Sequence, residues 1–243
     1  MKCKICNNQT KKAFTSKILG KYNIDYFKCY NCGFIQTEKP FWLKEAYENS
    51  ITTEDTGLID RNIYFSNILP TIINYFFDKS ANFLDYAGGY GIFTSLMRNK
   101  RFNFYTTDKY TKNILAKGFE YKKEIIKAIT CFECFEHFED PLKEIEKMLK
   151  LSNNIIFSTR LTSKEIPEKN WDYFGFNHGQ HISFYSKKTL KYIAKAYNLN
   201  LYSNQNLHVL TKQKLNSLIF TTIINTVKLK NKIGNKILTF QPL

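Results

Sequence analysis

The spacing of apolar residues changes along this chain, and each change marks an element. Residues 60–77 repeat apolar side chains at helical spacing (Ile63, Phe65, Ile68, Leu69, Ile72, Ile73 and Phe76), which predicts a helix over one sheet face, bent or divided at Pro70. The apolar run 82–86 reads as a strand, the glycine-rich 87–91 as a tight turn, and 92–99 as a helix opened by Gly91. Residues 102–107 are strand-like and end in Asp108. Residues 125–132 and 153–159 are buried strands. Pro141 starts a helix behind Asp140, with Leu142, Ile145, Met148 and Leu149 on its inner face. Ser186 caps a helix running through Tyr197, and 199–203 with 207–211 form a hairpin around Asn204-Gln205-Asn206. Only about twenty residues lie between Asp108 and the next strand, so any strand there is abbreviated. This alternation predicts an α/β fold with a mostly parallel sheet, an antiparallel last hairpin, and ligand sites at the carboxyl ends of the strands.

Composition adds a charge argument. The chain has 243 residues, 43% hydrophobic, enough for one good core and a small appendage. Its net charge of +15 favours an anionic partner: nucleic acid, a phosphorylated or acidic metabolite, or an anionic membrane surface. Richness in Lys, Asn, Ile, Phe and Tyr fits an A- and T-biased genome and discounts that argument. Only four of the cations are Arg, which weighs against bidentate phosphate or base-edge recognition. No run of about eighteen apolar residues occurs, and the first residues lead into no apolar signal region, so the expected location is the cytoplasm.

Four of the six cysteines form Cys3-x-x-Cys6 and Cys29-x-x-Cys32, with 22 residues between the pairs. Each pair places two thiolates on one knuckle, and two knuckles joined by a hairpin around Leu19-Gly20 complete a tetrahedral shell that suits a structural zinc ion. Four unrelated buried cysteines, or two disulfides, are the other readings. Cys131-x-x-Cys134 has no partner pair and reads as packing.

The turn after the first core strand carries the chemistry. Its glycines let backbone approach a ligand, the next helix offers unpaired N–H groups, and Asp108 lies about twenty residues beyond, where an acid can hold a ribose hydroxyl pair. The segment Leu84-Asp85-Tyr86-Ala87-Gly88-Gly89-Tyr90-Gly91, then Asp108, then Phe132-Glu133-Cys134-Phe135-Glu136-His137-Phe138-Glu139-Asp140-Pro141, resembles the class I S-adenosylmethionine-dependent methyltransferases over roughly residues 81–211. The family turn usually reads acid-x-Gly-x-Gly-x-Gly; here Ala87 stands at the first glycine. The resemblance implies a Rossmann-like methyltransferase sheet that binds S-adenosylmethionine through Asp85, Ala87, Gly88, Gly89, Gly91, Asp108 and Glu133, with Phe119 next to Glu120 near the adenine. With 1–45 as a zinc-ribbon-like domain, 46–80 as connector and covering helix, 81–211 as the core and 212–243 as a basic tail, the chain is similar to sugar and small-molecule methyltransferases.

The implied reaction needs little from the protein beyond alignment and a base, since the sulfonium makes the methyl group electrophilic. His137 and His181 are the candidate bases, Glu133 or Glu136 would orient a histidine, and Tyr185 is a third choice. Each histidine reads equally as a structural residue. Residues 160–179, rich in Trp171, Tyr173, Phe174 and Phe176, are expected to cap the acceptor, with Phe41 and Trp42 at its entrance or in domain packing. The acceptor is expected to be a small molecule, anionic or sugar-linked. A nucleic-acid substrate fits the charge, but Asn-Pro-Pro-Tyr, Asp-Pro-Pro-Tyr and Pro-Cys signatures are absent. A non-catalytic cofactor-binding module is the third class. In the acid-free tail, Leu215, Leu218, Ile219, Ile223 and Val227 fall on one helical face, suited to an anionic membrane surface, to another subunit, or to packing on its own domain.

Overall fold

The structure, a computed structural model, describes residues 1–48, 57–163 and 165–238, with backbone alone over 228–238. Residues 49–56 of the expected connector, 239–243, and the side chains of the tail lysines from Lys228 onward lie outside the described residues. The chain divides into two compact units, Met1–Glu54 with Ile129–Gln213, and Asp55–Ala128 with Lys214–Leu243.

In chain order the elements are β1 (Lys11–Ile18), β2 (Tyr22–Lys28), β3 (Ile35–Thr37), α1 (Leu43–Ala46), α2 (Leu58–Phe76), β4 (Asn82–Tyr86), α3 (Ile92–Asn99), β5 (Asn103–Thr107), β6 (Ile126–Cys131), α4 (Pro141–Leu149), β7 (Asn154–Ser158), β8 (Ser183–Phe184), α5 (Lys187–Ala196), β9 (Asn200–Asn204), β10 (Leu207–Thr211) and α6 (Ser217–Leu238). Six strands form a sheet in the order β5-β4-β6-β7-β10-β9. β4 pairs parallel to β5 and β6 parallel to β7, while β10 runs antiparallel to both its neighbours. This is the mostly parallel sheet with an antiparallel last hairpin expected from the alternation of elements. The abbreviated strand after Asp108 is reduced, among the described residues, to one bridge between Thr106 and Glu120.

In the first unit, β1 and β2 make an antiparallel hairpin whose turn places Leu19 and Gly20 at positive φ, the twist that matches paired strands. β3 extends it, and β8 joins from far along the chain, pairing Ile35 with Phe184. Apolar residues from both ends of the sequence make one core here: Ile18, Ile24, Tyr26, Ile35 and Trp42 pack with Tyr173, Phe174, Ile182 and Phe184. Trp42 is 2% exposed and donates its indole N–H to the Gly179 carbonyl at 2.8 Å. Two of the aromatics expected to cap the acceptor are therefore core, Phe174 at 1% and Tyr173 at 5% exposed, because large aromatic surfaces gain most when water is excluded from them, while Trp171 and Phe176 pack partly buried against that core. Phe41 alone of the two entrance aromatics stays exposed.

The caps follow the sequence signals. Asp140 accepts from the Lys143 N–H ahead of Pro141, and Ser186 forms a capping box with Thr189. His208 on β10 is a structural histidine: Nε2 donates to the Thr159 carbonyl, Nδ1 accepts from the Ser203 hydroxyl, and burial pushes its pKa down to about 4. The folded protein thus resists protonating this ring while the unfolded chain takes a proton near pH 6.5, so stability falls as pH drops from about 6.5 to about 4. Urea unfolding at pH 7 and pH 4.5 is expected to show wild type losing about 2 kcal/mol more than His208→Gln, zinc content being matched.

In the second unit, α2 runs unbroken through Pro70, so the proline neither divides it nor ends it. Its buried stripe is Phe65, Ser66, Ile68, Leu69, Ile72 and Ile73, and Ile63 turns to solvent. The tail helix α6 packs against α2 on a face that shares Ile223 with the expected one but is turned away from Leu218 and Ile219. Phe220, Ile223 and Ile224 are buried, whereas Leu218 is 77% exposed. Apolar residues surround this helix on more than one side, so periodicity alone does not select the stripe that tertiary contact buries. No described helix is long and apolar enough to cross a membrane.

Candidate functional site

The turn between β4 and α3 is built by conformations that few residues adopt. Ala87, Gly89 and Gly91 have φ of 58°, 54° and 84°. Ala87 keeps the left-handed backbone that glycine provides elsewhere, at a cost of about 1 kcal/mol. A Cβ on Gly89 would meet open space, which leaves this backbone accessible to a ligand, while a Cβ on Gly91 would collide with Asn113 and touch Ala116. Asp85 is buried beside Gly88, its Oδ2 accepting from the Thr94 hydroxyl. Asp108 ties the end of β5 to the turn: Oδ2 accepts from Gly89 N–H at 3.0 Å, and Oδ1 from Tyr110 and Thr111 N–H at 2.7 Å each. Phe119 lies under the Arg98 guanidinium, 3.4 Å from its ring centroid, so one face of the ring is already occupied. Glu120 accepts from Asn113 and from Gly118 N–H. Asp108→Ala removes three backbone anchors as well as the proposed ribose acceptor. It is expected to weaken S-adenosylmethionine binding by about 1.5–3 kcal/mol, measured by calorimetry; an unchanged affinity would place the ribose elsewhere.

In the first unit, Cys3, Cys6, Cys29 and Cys32 are buried together, all four sulfurs within 4.8 Å of one another. Cys3 and Cys32 Sγ are 3.5 Å apart, and Cys6 and Cys29 Sγ 3.4 Å. Tetrahedral zinc at a Zn–S distance of about 2.3 Å requires sulfurs about 3.8 Å apart, so the donor set fits that ion. Gly33 N–H bonds back to the Cys29 carbonyl and closes the second knuckle. The hydrogen bond between the Cys3 and Cys32 thiols pulls the Cys3 pKa down to about 5 and pushes that of Cys32 up, so without a metal one thiolate of the pair is favoured at the other's expense. Cys131 is buried and Cys134 half-buried; neither joins a metal-ligating group among the described residues.

A second polar cluster in the same unit gathers around the turn after β6. Glu133 has φ of 49°, an uncommon left-handed conformation that marks a constrained position. The short 3-10 turn Phe135–His137 follows, and Ile182 N–H donates to the Glu136 carbonyl at 2.9 Å, bringing His181 alongside. The His137 and His181 ring centroids are 4.8 Å apart, and those of His178 and His181 4.7 Å. His181 Nδ1 lies 2.6 Å from the Tyr173 backbone oxygen, which only accepts; Nδ1 therefore carries the hydrogen and Nε2 is the acceptor nitrogen of the neutral ring. His137 Nδ1 bonds the Tyr47 hydroxyl at 2.9 Å. Glu136 is 0% exposed, and burial, with the Glu133 carboxylate nearby, pushes its pKa up to about 8.

The structure thus brings together both histidines singled out from the sequence, but with other orienting groups than expected. Tyr47 and the Tyr173 carbonyl hold the rings, not Glu133 or Glu136. Glu133 instead accepts from the Ser158 hydroxyl at 2.6 Å. Tyr185 is fully buried and donates to the Phe135 carbonyl, a bond that anchors the turn and leaves it no role as base. Tyr47, distant in sequence from the motif, carried no signal that would have selected it.

A family model described as "Methyltransferase domain" matches residues 62–204. No curated protein sequence matches the chain. Among solved structures, similarity extends to CalO1, a methyltransferase in calicheamicin biosynthesis (10% identity, TM-score 0.44, 64% of this chain and 55% of that one). It extends also to the plantazolicin methyltransferase BpumL in complex with SAH (12% identity, TM-score 0.49, 81% and 90%). A third is the magnesium protoporphyrin IX methyltransferase ChlM of Synechocystis PCC 6803 with bound SAM (10% identity, TM-score 0.42, 70% and 90%). The chain spans about half the length of CalO1. Since the family match takes in more than half of the sequence, the chain belongs to the methyltransferase-domain family, the class I S-adenosylmethionine-dependent methyltransferases.

Proposed function

We propose that the protein transfers the methyl group of S-adenosylmethionine to a hydroxyl of a small polar acceptor, a sugar or a sugar-linked or phosphorylated metabolite. The observation that carries this reading is the histidine cluster: His181 in its Nδ1–H form, with His137 beside it, supplies the proton acceptor that a hydroxyl needs and a more reactive nucleophile does not. S-adenosylmethionine, when bound, supplies an electrophilic methyl group. The open backbone at Gly89 and the Asp108 carboxylate would hold the cofactor at its ribose, and the N–H groups of α3 would face its polar atoms.

In this reading residues 1–45 form a structural zinc module and 81–211 the transfer core. The acid-rich surface of a phosphorylated or nucleotide-linked acceptor suits the net charge of +15, and the location that goes with such acceptors is the cytoplasm. The test is a screen with labelled methyl donor over nucleotide sugars and phosphorylated metabolites, with bulk RNA in parallel. Label in a sugar-linked acceptor supports the reading; incorporation into RNA alone defeats it.

A further inference from the structure

The Glu136 carboxylate poses a problem of its own. Neither of its oxygens has a hydrogen-bond partner, although the residue is entirely buried. The Tyr173 and Thr159 hydroxyls lie beside it but bond each other at 3.0 Å. A buried carboxylate without partners costs several kcal/mol if ionised, and the Glu133 carboxylate nearby increases that cost. A cation placed against Glu136 removes it.

The surroundings supply the remaining ligands. Glu136, His137 and His181 each offer one ligand atom, and these lie within 4.8 Å of one another. Ligands on one cation at about 2.1 Å lie about 3.0–4.2 Å apart, so the set is nearly closed. Both histidines also show the outer bonding of metal ligands. Nδ1 of His181 is held by a backbone carbonyl and Nδ1 of His137 by a tyrosine hydroxyl, contacts that fix ring orientation and tautomer. Glu133 adds negative potential without spending its bonded oxygen, which stays on Ser158.

We propose that Glu136, His137 and His181 bind one divalent transition-metal cation, through the Glu136 carboxylate and the Nε2 atoms of the two histidines. Two nitrogens and one carboxylate suit Mn²⁺, Fe²⁺, Co²⁺ or Zn²⁺ and leave coordination positions open. The site is separate from the four-thiolate cluster, whose soft donors do not favour Mn²⁺. It stands on the geometry of these three residues; with the cation bound, His181 Nε2 is a ligand, and a metal-bound hydroxide at an open position, not the free ring, would take the acceptor's proton.

Mn²⁺ is therefore the probe, titrated into the full-length zinc-loaded protein and followed by electron paramagnetic resonance. Wild type is expected to take up one Mn²⁺ per chain saturably. The isosteric Glu136→Gln and His181→Gln are each expected to weaken this at least 10-fold, and Tyr47→Phe by about 10-fold through the His137 ring. Mn²⁺ is also expected to raise the melting temperature of wild type and not that of Glu136→Gln, which confirms folding of the variant in the same experiment. Absence of saturable binding in wild type, or equal affinity in Glu136→Gln, overturns the proposal.

Discussion

Cys29→Ser is expected to release the zinc ion and to unfold the N-terminal module, with the largest loss of stability of any single substitution considered. Four buried thiols converge within 4.8 Å, and in the metal-bound protein Cys29 would be one of four equivalent ligands with no open position. Structural zinc contributes free energy of order 10 kcal/mol to small modules of this kind, and losing one thiolate forfeits much of it. The consequence spreads beyond the first residues. β1, β2 and β3 share their sheet with β8 and their core with Tyr173, Phe174 and Ile182, so an unfolded module also strips the cover from the segment that positions His181. Metal analysis should give about one tightly held zinc per chain in wild type and none in Cys29→Ser, with a melting transition lost or lowered by tens of degrees. A folded, active protein with no zinc would end this reading.

His181→Ala is expected to lower turnover by about 10²–10⁴ while leaving S-adenosylmethionine affinity within about twofold. The ring is fixed by its bond to the Tyr173 carbonyl, stands beside His137, and presents Nε2 as an acceptor. Under the proposed function its removal is expected to act on the acceptor's deprotonation, while the turn held by the Gly89–Asp108 bond keeps its own contacts. The measurement is kcat and cofactor Kd together, beside His178→Ala. His178 Nδ1 accepts from Gln180 N–H within its own turn, so its replacement should lower turnover much less. Equal losses in the two variants would show that the cluster acts only in packing.

Much of the fold was written in local signals. The strand, glycine turn and helix at 82–99 emerge at almost the predicted boundaries, because an apolar run, left-handed turn residues and a helical stripe each act over a few residues. The caps at Asp140 and Ser186 were equally readable, since a side chain bonding N–H groups three residues on needs nothing distant. The cysteine pairs likewise announced their convergence. Ala87 departs from the usual glycine, and the backbone nevertheless keeps the left-handed conformation there.

The sequence by itself determined most of the strands and helices between 58 and 211, though not α1 or β8, that the sheet would be mostly parallel, and that the two knuckles would meet. These follow from periodicity, turn chemistry and ligand type, all short-range. Only the tertiary structure decided that Tyr173 and Phe174 would be core to the N-terminal sheet, that Phe220 and Ile224 rather than Leu218 would anchor α6, and that Tyr47 would orient His137. It also decided that Glu136 would be buried without a hydrogen-bond partner, within 4.8 Å of two histidines 44 residues apart in the chain. Each of these depends on which surfaces exclude water from one another, and that choice is made between residues whose separation in sequence carries no pattern.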